Sequence, residues 1–115
     1  MTIKECYEKM GANYQEVISR LMTDARVEKY VLKFADGNYY TLIEETLAEE
    51  KWEDAFRNVH NLKGVALNLS LTNVHKTSDI LCEALRGGKP DIDITPLLAD
   101  VKKAYDEAIA AIKLL

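Results

Sequence analysis

Between Trp52 and Leu69, apolar residues return at alternating steps of three and four: Trp52, Ala55, Val59, Leu62, Ala66 and Leu69. That spacing draws one apolar stripe along an amphipathic helix, the core-facing seam of a bundle. The chain must therefore supply other helices to cover it. With only two prolines and five glycines in 115 residues, it has few breakers and favours long helices over many short strands. The length suits one compact domain and is too short for two.

The other helices can be placed from their caps and spacing. Thr2 and Glu5 form a capping box for a short helix carrying Ile3, Cys6, Tyr7 and Met10, which Gly11 ends. Asn13 and Glu16 repeat the signal before Tyr14, Val17, Ile18 and Leu21. We expect residues 1–22 to form a lid over the bundle, and residues 23–115 the bundle itself. Thr23 or Asp24 caps a helix through Val27, Tyr30, Val31 and Phe34, broken at Asp36-Gly37-Asn38 and resumed from Tyr39 through Ile43 and Leu47. After the central helix, which should end near Ser70, Thr72 is a cap for a helix with Leu71, Val74, Ser78, Leu81 and Leu85 along one stripe. Gly87 and Gly88 close it. Thr95 before Pro96 opens the last helix, with Leu97, Leu98, Val101, Ala104, Tyr105, Ala108, Ile112 and Leu115 inward. Four long helices with short joins make an all-α, up-down-up-down antiparallel four-helix bundle.

His60 stands outside the central seam. At roughly 100° per residue it lies just beside Val59, at the border between core and water. Lys63 and Gly64 follow one turn later on the same face. A glycine in mid-helix costs about 1 kcal/mol relative to alanine, so Gly64 implies that something comes close there. Lys63 brings a mobile cation within reach of whatever the ring carries, and a phosphoryl group suits it. An imidazole with the ordinary pKa of about 6.5 is largely neutral and nucleophilic at neutral pH, needing no activating base.

His60-Asn61-Leu62-Lys63-Gly64, preceded by Trp52, Phe56 and Val59 and followed by Leu69, resembles the signature of histidine-containing phosphotransfer (HPt) domains. The resemblance implies the same helical bundle, phosphorylation of His60 on its outer ring nitrogen, charge neutralisation by Lys63 and clearance at Gly64. It also implies that a partner receiver domain supplies Mg²⁺ and most of the catalytic groups, so that this chain needs no cofactor of its own. Two positions depart from the pattern. Leu67 stands where a small or polar residue is frequent, and puts an apolar side chain on the docking face. Ser70 replaces a usual glycine, and because serine adopts a left-handed conformation less readily, a shifted helix end is expected.

Charge and the remaining reactive residues exclude other classes. The formal net charge of -4 repels a phosphate backbone, and no basic stripe interrupts it, so nucleic acid is not expected as a partner. Glu44, Glu45, Glu49 and Glu50 read as a solvated acidic face, and His75 as a surface or boundary residue. Cys6 and Cys82 are too far apart for a metal knuckle or redox pair and read as reduced, buried thiols. No metal set converges with His60 or His75. No nucleotide-binding motif or nucleophile triad occurs, so autonomous kinase activity is not expected. Met1–Tyr7 lacks the apolar core of a signal peptide and no stretch approaches a membrane span. A free-standing, monomeric, cytoplasmic protein is the expectation.

The expected function is a phosphorelay carrier: His60 accepts a phosphoryl group from a receiver aspartate and passes it to another receiver, with response-regulator receivers or a hybrid sensor kinase as partners. Asn61, Lys63, Gly64, Leu67 and Asn68 should line the docking surface. The alternative, favoured by Leu67, is a non-phosphorylated helical adaptor that binds a receiver or another signalling protein.

Overall fold

A computed structural model describes residues 1–115 as seven α-helices without strands: α1 Ile3–Met10, α2 Tyr14–Leu21, α3 Asp24–Ala35, α4 Tyr39–Ala48, α5 Trp52–Asn68, α6 Thr72–Leu85 and α7 Thr95–Ile112. The helices α4 to α7 pack in series, each chiefly on its chain neighbour, and the α5–α6 seam is the most extensive. Three-residue joins, 49–51 and 69–71, make α4, α5 and α6 antiparallel neighbours. The helices α1 and α3 both reach α7 and complete the bundle.

The seam read from the sequence is the core. Ala55, Val59, Leu62, Ala66 and Leu69 are buried, with Trp52 half-buried at the entrance. From α6, Val74, Ser78, Leu81 and Leu85 face them, and from α7, Val101, Ala104, Tyr105, Ala108 and Ile112 do. Tyr30 departs from its expected place: it is exposed, while Val27, Val31 and Phe34 carry the buried face of α3. An aromatic group knits α3, α4 and α7 together, with Phe34 stacked on Tyr39 at 5.3 Å and edge-on to Tyr105 at 5.6 Å. Gly37 permits this turn, since a Cβ there would lie 2.5 Å from the Tyr39 ring.

Three helices end in the same way. At Gly11, Glu50 and Ser70 the backbone takes φ of 65°, 56° and 56°, and the next N–H reaches back five residues, as in a Schellman motif. Only the first is a glycine. The expected shift of the α5 terminus is therefore not found: Ser70 itself takes the left-handed conformation. Its Oγ donates to Glu16 Oε1 at 2.8 Å and accepts from Arg20 Nη1 at 3.2 Å, which offsets the strain.

The N-terminal segment does more than cover the core. Arg20 Nη1 donates to the carbonyl oxygens of Leu67 and Asn68 at 3.0 and 2.6 Å. Tyr7 donates its hydroxyl to Leu69 O at 2.7 Å, and Asn13 its N–H to Ser70 O at 3.0 Å. The last carbonyls of a helix lack partners within it, and a cation there complements the helix dipole. Here α1, α2 and the loop between them supply both.

Some caps differ from the sequence reading. Thr2 with Glu5, Asn13 and Thr23 cap their helices as expected. Leu71, not Thr72, precedes α6, because the tight turn at Ser70 drives Leu71 into the core. Ile94 occupies the cap of α7, and Asp93 Oδ1 accepts the Thr95 N–H at 3.0 Å.

Candidate functional site

Of the residues singled out in the sequence, His60, Asn61, Gly64, Leu67 and Asn68 lie exposed on one side of α5, and Lys63 is half-buried beside them. His60 stacks on Phe56 one turn before it, with ring centroids 6.0 Å apart and planes 12° from parallel. Such an offset pair restricts the imidazole while leaving its outer edge in solvent. Arg86, just past the end of α6, lies over the Phe56 ring, 5.2 Å from the centroid. A Cβ built on Gly64 would meet nothing within 4 Å, so the space beside His60 is open to an incoming group. No other part of the chain makes the close approach that the glycine implied.

Lys63 extends along the α5–α6 seam and places Nζ 3.0 Å from Asp79 Oδ1. The contact raises the Lys63 pKa and holds the Asp79 carboxyl below its usual range. Both groups stay charged at neutral pH. The two contacts share one register, since seven residues forward from Phe56 in α5 reaches Lys63 while seven back from Arg86, at the C-terminal cap of α6, reaches Asp79. Asp79 and Arg86 were not singled out in the sequence. Their signal was this antiparallel register, which becomes usable only once the α5–α6 turn is fixed.

Leu67 is 49% exposed and adds an apolar patch one turn beyond Lys63 and Gly64. Asn68 is exposed at its side chain, while its carbonyl is held by Arg20. His75 behaves as a boundary residue: half-buried between the helices, its Nδ1 lies 3.3 Å from Lys63 O. Cys6 and Cys82 are buried and unpaired, and burial pushes both thiols up. No group of three or more His, Cys, Asp or Glu side chains is placed to hold a metal ion, and no helix is long and apolar enough to cross a membrane.

The largest cavity, about 540 Å³, is lined by Leu21, Phe34, Tyr39, Val65, Asn68 and Leu69, so it takes in Asn68 but not His60. The arrangement offers a restrained nucleophilic ring, clear space beside it, one nearby ammonium and an apolar margin.

A family model described as Hpt domain matches residues 37–113, from the turn before α4 to the end of α7. Comparison with curated proteins and with solved structures gives no match.

Proposed function

The chain belongs to the Hpt domain family, and from that membership we propose that His60 is the residue that carries the phosphoryl group. Domains of this family serve histidine phosphotransfer in two-component phosphorelays and interact with receiver domains and histidine kinases; they are carriers and not kinases. The observation that supports His60 is its exposure beside the open space at Gly64, with Lys63 one turn away.

In the proposed reaction, the lone pair of His60 Nε2 attacks the phosphorus of a receiver aspartyl phosphate. The acyl P–O bond breaks and its electrons remain on the released carboxylate. The product ring carries phosphorus on Nε2 and a proton on Nδ1, so charge is conserved, and transfer to a second receiver reverses these steps. The Phe56 stack restricts the ring for in-line attack, Gly64 gives the phosphoryl oxygens room, and Lys63 offsets their charge. Mg²⁺ belongs to the receiver in this scheme. Leu67, with Asn61 and Asn68, forms the docking margin, all three being exposed.

Incubation with a phosphorylated receiver should leave acid-labile, base-stable phosphate on the wild type and none on His60→Gln. Transfer that survives the substitution unchanged would overturn the assignment. The exposed Leu67 also suits an adaptor that binds without accepting phosphate; receiver binding with no phosphohistidine in the wild type is the result that would favour it.

A further inference from the structure

The cation beside His60 is already engaged. Lys63 Nζ sits 3.0 Å from Asp79 Oδ1, and its side chain is 23% exposed against 47% for Asp79, so the ammonium is the more enclosed member of the pair. Arg86, the other cation near the His60–Phe56 stack, is likewise bound, to Glu83 at 2.7 Å. The α6 edge of the site thus presents Asp79 and Glu83, one turn apart, each paired with a cation.

Phosphorylation would change this balance. A phosphoryl group on His60 brings nearly two negative charges beside Lys63, which the four-carbon stem of lysine can reach by rotation from Asp79. Lys63 cannot fully serve both anions in the same geometry, and the anion left behind repels the other.

We propose that Asp79 is a positioning residue that holds Lys63 in reserve, so that charging His60 exchanges the partner of Lys63 from the Asp79 carboxylate to the phosphoryl group. The competition limits how tightly the phosphoryl group is held, and favours its release to an acceptor. The inference rests on the phosphotransfer reading above and adds a residue from α6 to it.

Potassium phosphoramidate, a small donor that charges accessible imidazoles, allows a test without a known receiver. After charging the full chain, ³¹P NMR titration above pH 5, where phosphohistidine is stable, reads the loss of the Nδ1 proton from the phosphorylated ring. Asp79→Asn should enlarge that ionisation constant two- to fivefold, roughly the range expected of a half-exposed ion pair. Asp79→Glu should restore the wild-type value, and Lys63→Ala should shift it the opposite way. In the Lys63→Ala background, Asp79→Asn should have a smaller effect, because only direct repulsion remains. Far-UV circular dichroism and urea midpoints confirm folding of each variant.

An unchanged titration in Asp79→Asn, or the same change with and without Lys63, would overturn the exchange while leaving phosphotransfer intact. Absence of phosphohistidine on the charged wild type would take down both.

Discussion

Replacing Ser70 and Glu50 separately by glycine isolates what the Ser70 hydroxyl contributes. Both residues sit at the left-handed position of the same terminal motif, with φ of 56° in each case. Glycine relieves about 1 kcal/mol of left-handed strain and costs about 0.7 kcal/mol in unfolded-state entropy, so the backbone terms leave a gain of a few tenths. At Glu50, which is exposed, the backbone terms should decide the outcome, and Glu50→Gly should be neutral or slightly stabilising. Ser70 is buried and its hydroxyl both donates and accepts, so its loss should cost about 1 kcal/mol. Ser70→Gly should therefore be net destabilising, and the two variants should melt about 4 °C apart, taking about 2.1 cal/mol/K of unfolding entropy per residue. Thermal melts followed by circular dichroism at pH 7 measure this. The gap also has a pH dependence. Glu16 has a lowered pKa, first through the hydrogen bond from Ser70 and then through Arg20. A carboxyl depressed in the folded state stabilises above its unfolded value and loses that contribution as pH falls through the folded one. The melting gap should accordingly narrow as pH drops below the ordinary 4.5. Equal melting temperatures at pH 7, or Ser70→Gly the more stable of the two, would refute the account of the α5 terminus.

Gly64→Ala should stabilise the fold by about 0.5–1 kcal/mol, because α5 is continuous there and the new methyl meets nothing, yet should slow phosphoryl acceptance. A variant that is both more stable and equally fast would remove Gly64 from the mechanism. Tyr7→Phe leaves Leu69 O without its hydroxyl donor in a buried setting and should cost about 1–2 kcal/mol by urea denaturation, while a loss below a few tenths would show that other groups satisfy the carbonyl. Lys63→Ala should slow transfer roughly five- to tenfold in a quench assay with an unchanged far-UV spectrum, and a matched rate would remove its role.

Periodicity exposed the helices because burial repeats at every turn. Trp52 to Leu69 could be read as one helix, and the stripe of α6 from Leu71 to Leu85 is buried at each named position. Local chemistry was legible where one residue decides it, as at Gly11 and in the Thr2–Glu5 box. It failed where the deciding partner is distant. Nothing around Ser70 or Glu50 advertises a left-handed residue. Ser70 is held by Glu16 and Arg20, more than forty positions earlier. Glu16 shows the same limit, since its spacing from Asn13 suggests a reciprocal box, yet its carboxylate binds Arg20 and Ser70. That His60, Lys63 and Gly64 share one helix face follows from spacing, while the roles proposed for them come from the family resemblance. Asp79 belongs to another helix, so its place beside Lys63 depends on the tight 69–71 turn.

The holding of the α5 carbonyls by Tyr7, Asn13 and Arg20 bears on where this chain can be shortened. A fragment beginning at residue 37, the edge of the family match, would retain every residue of the phosphotransfer motif. It would also release the far end of the very rod on which His60 is mounted, leaving Leu69, Ser70 and Leu71 to find water or each other. The first two dozen residues are better regarded as a splint for that rod than as an optional preface.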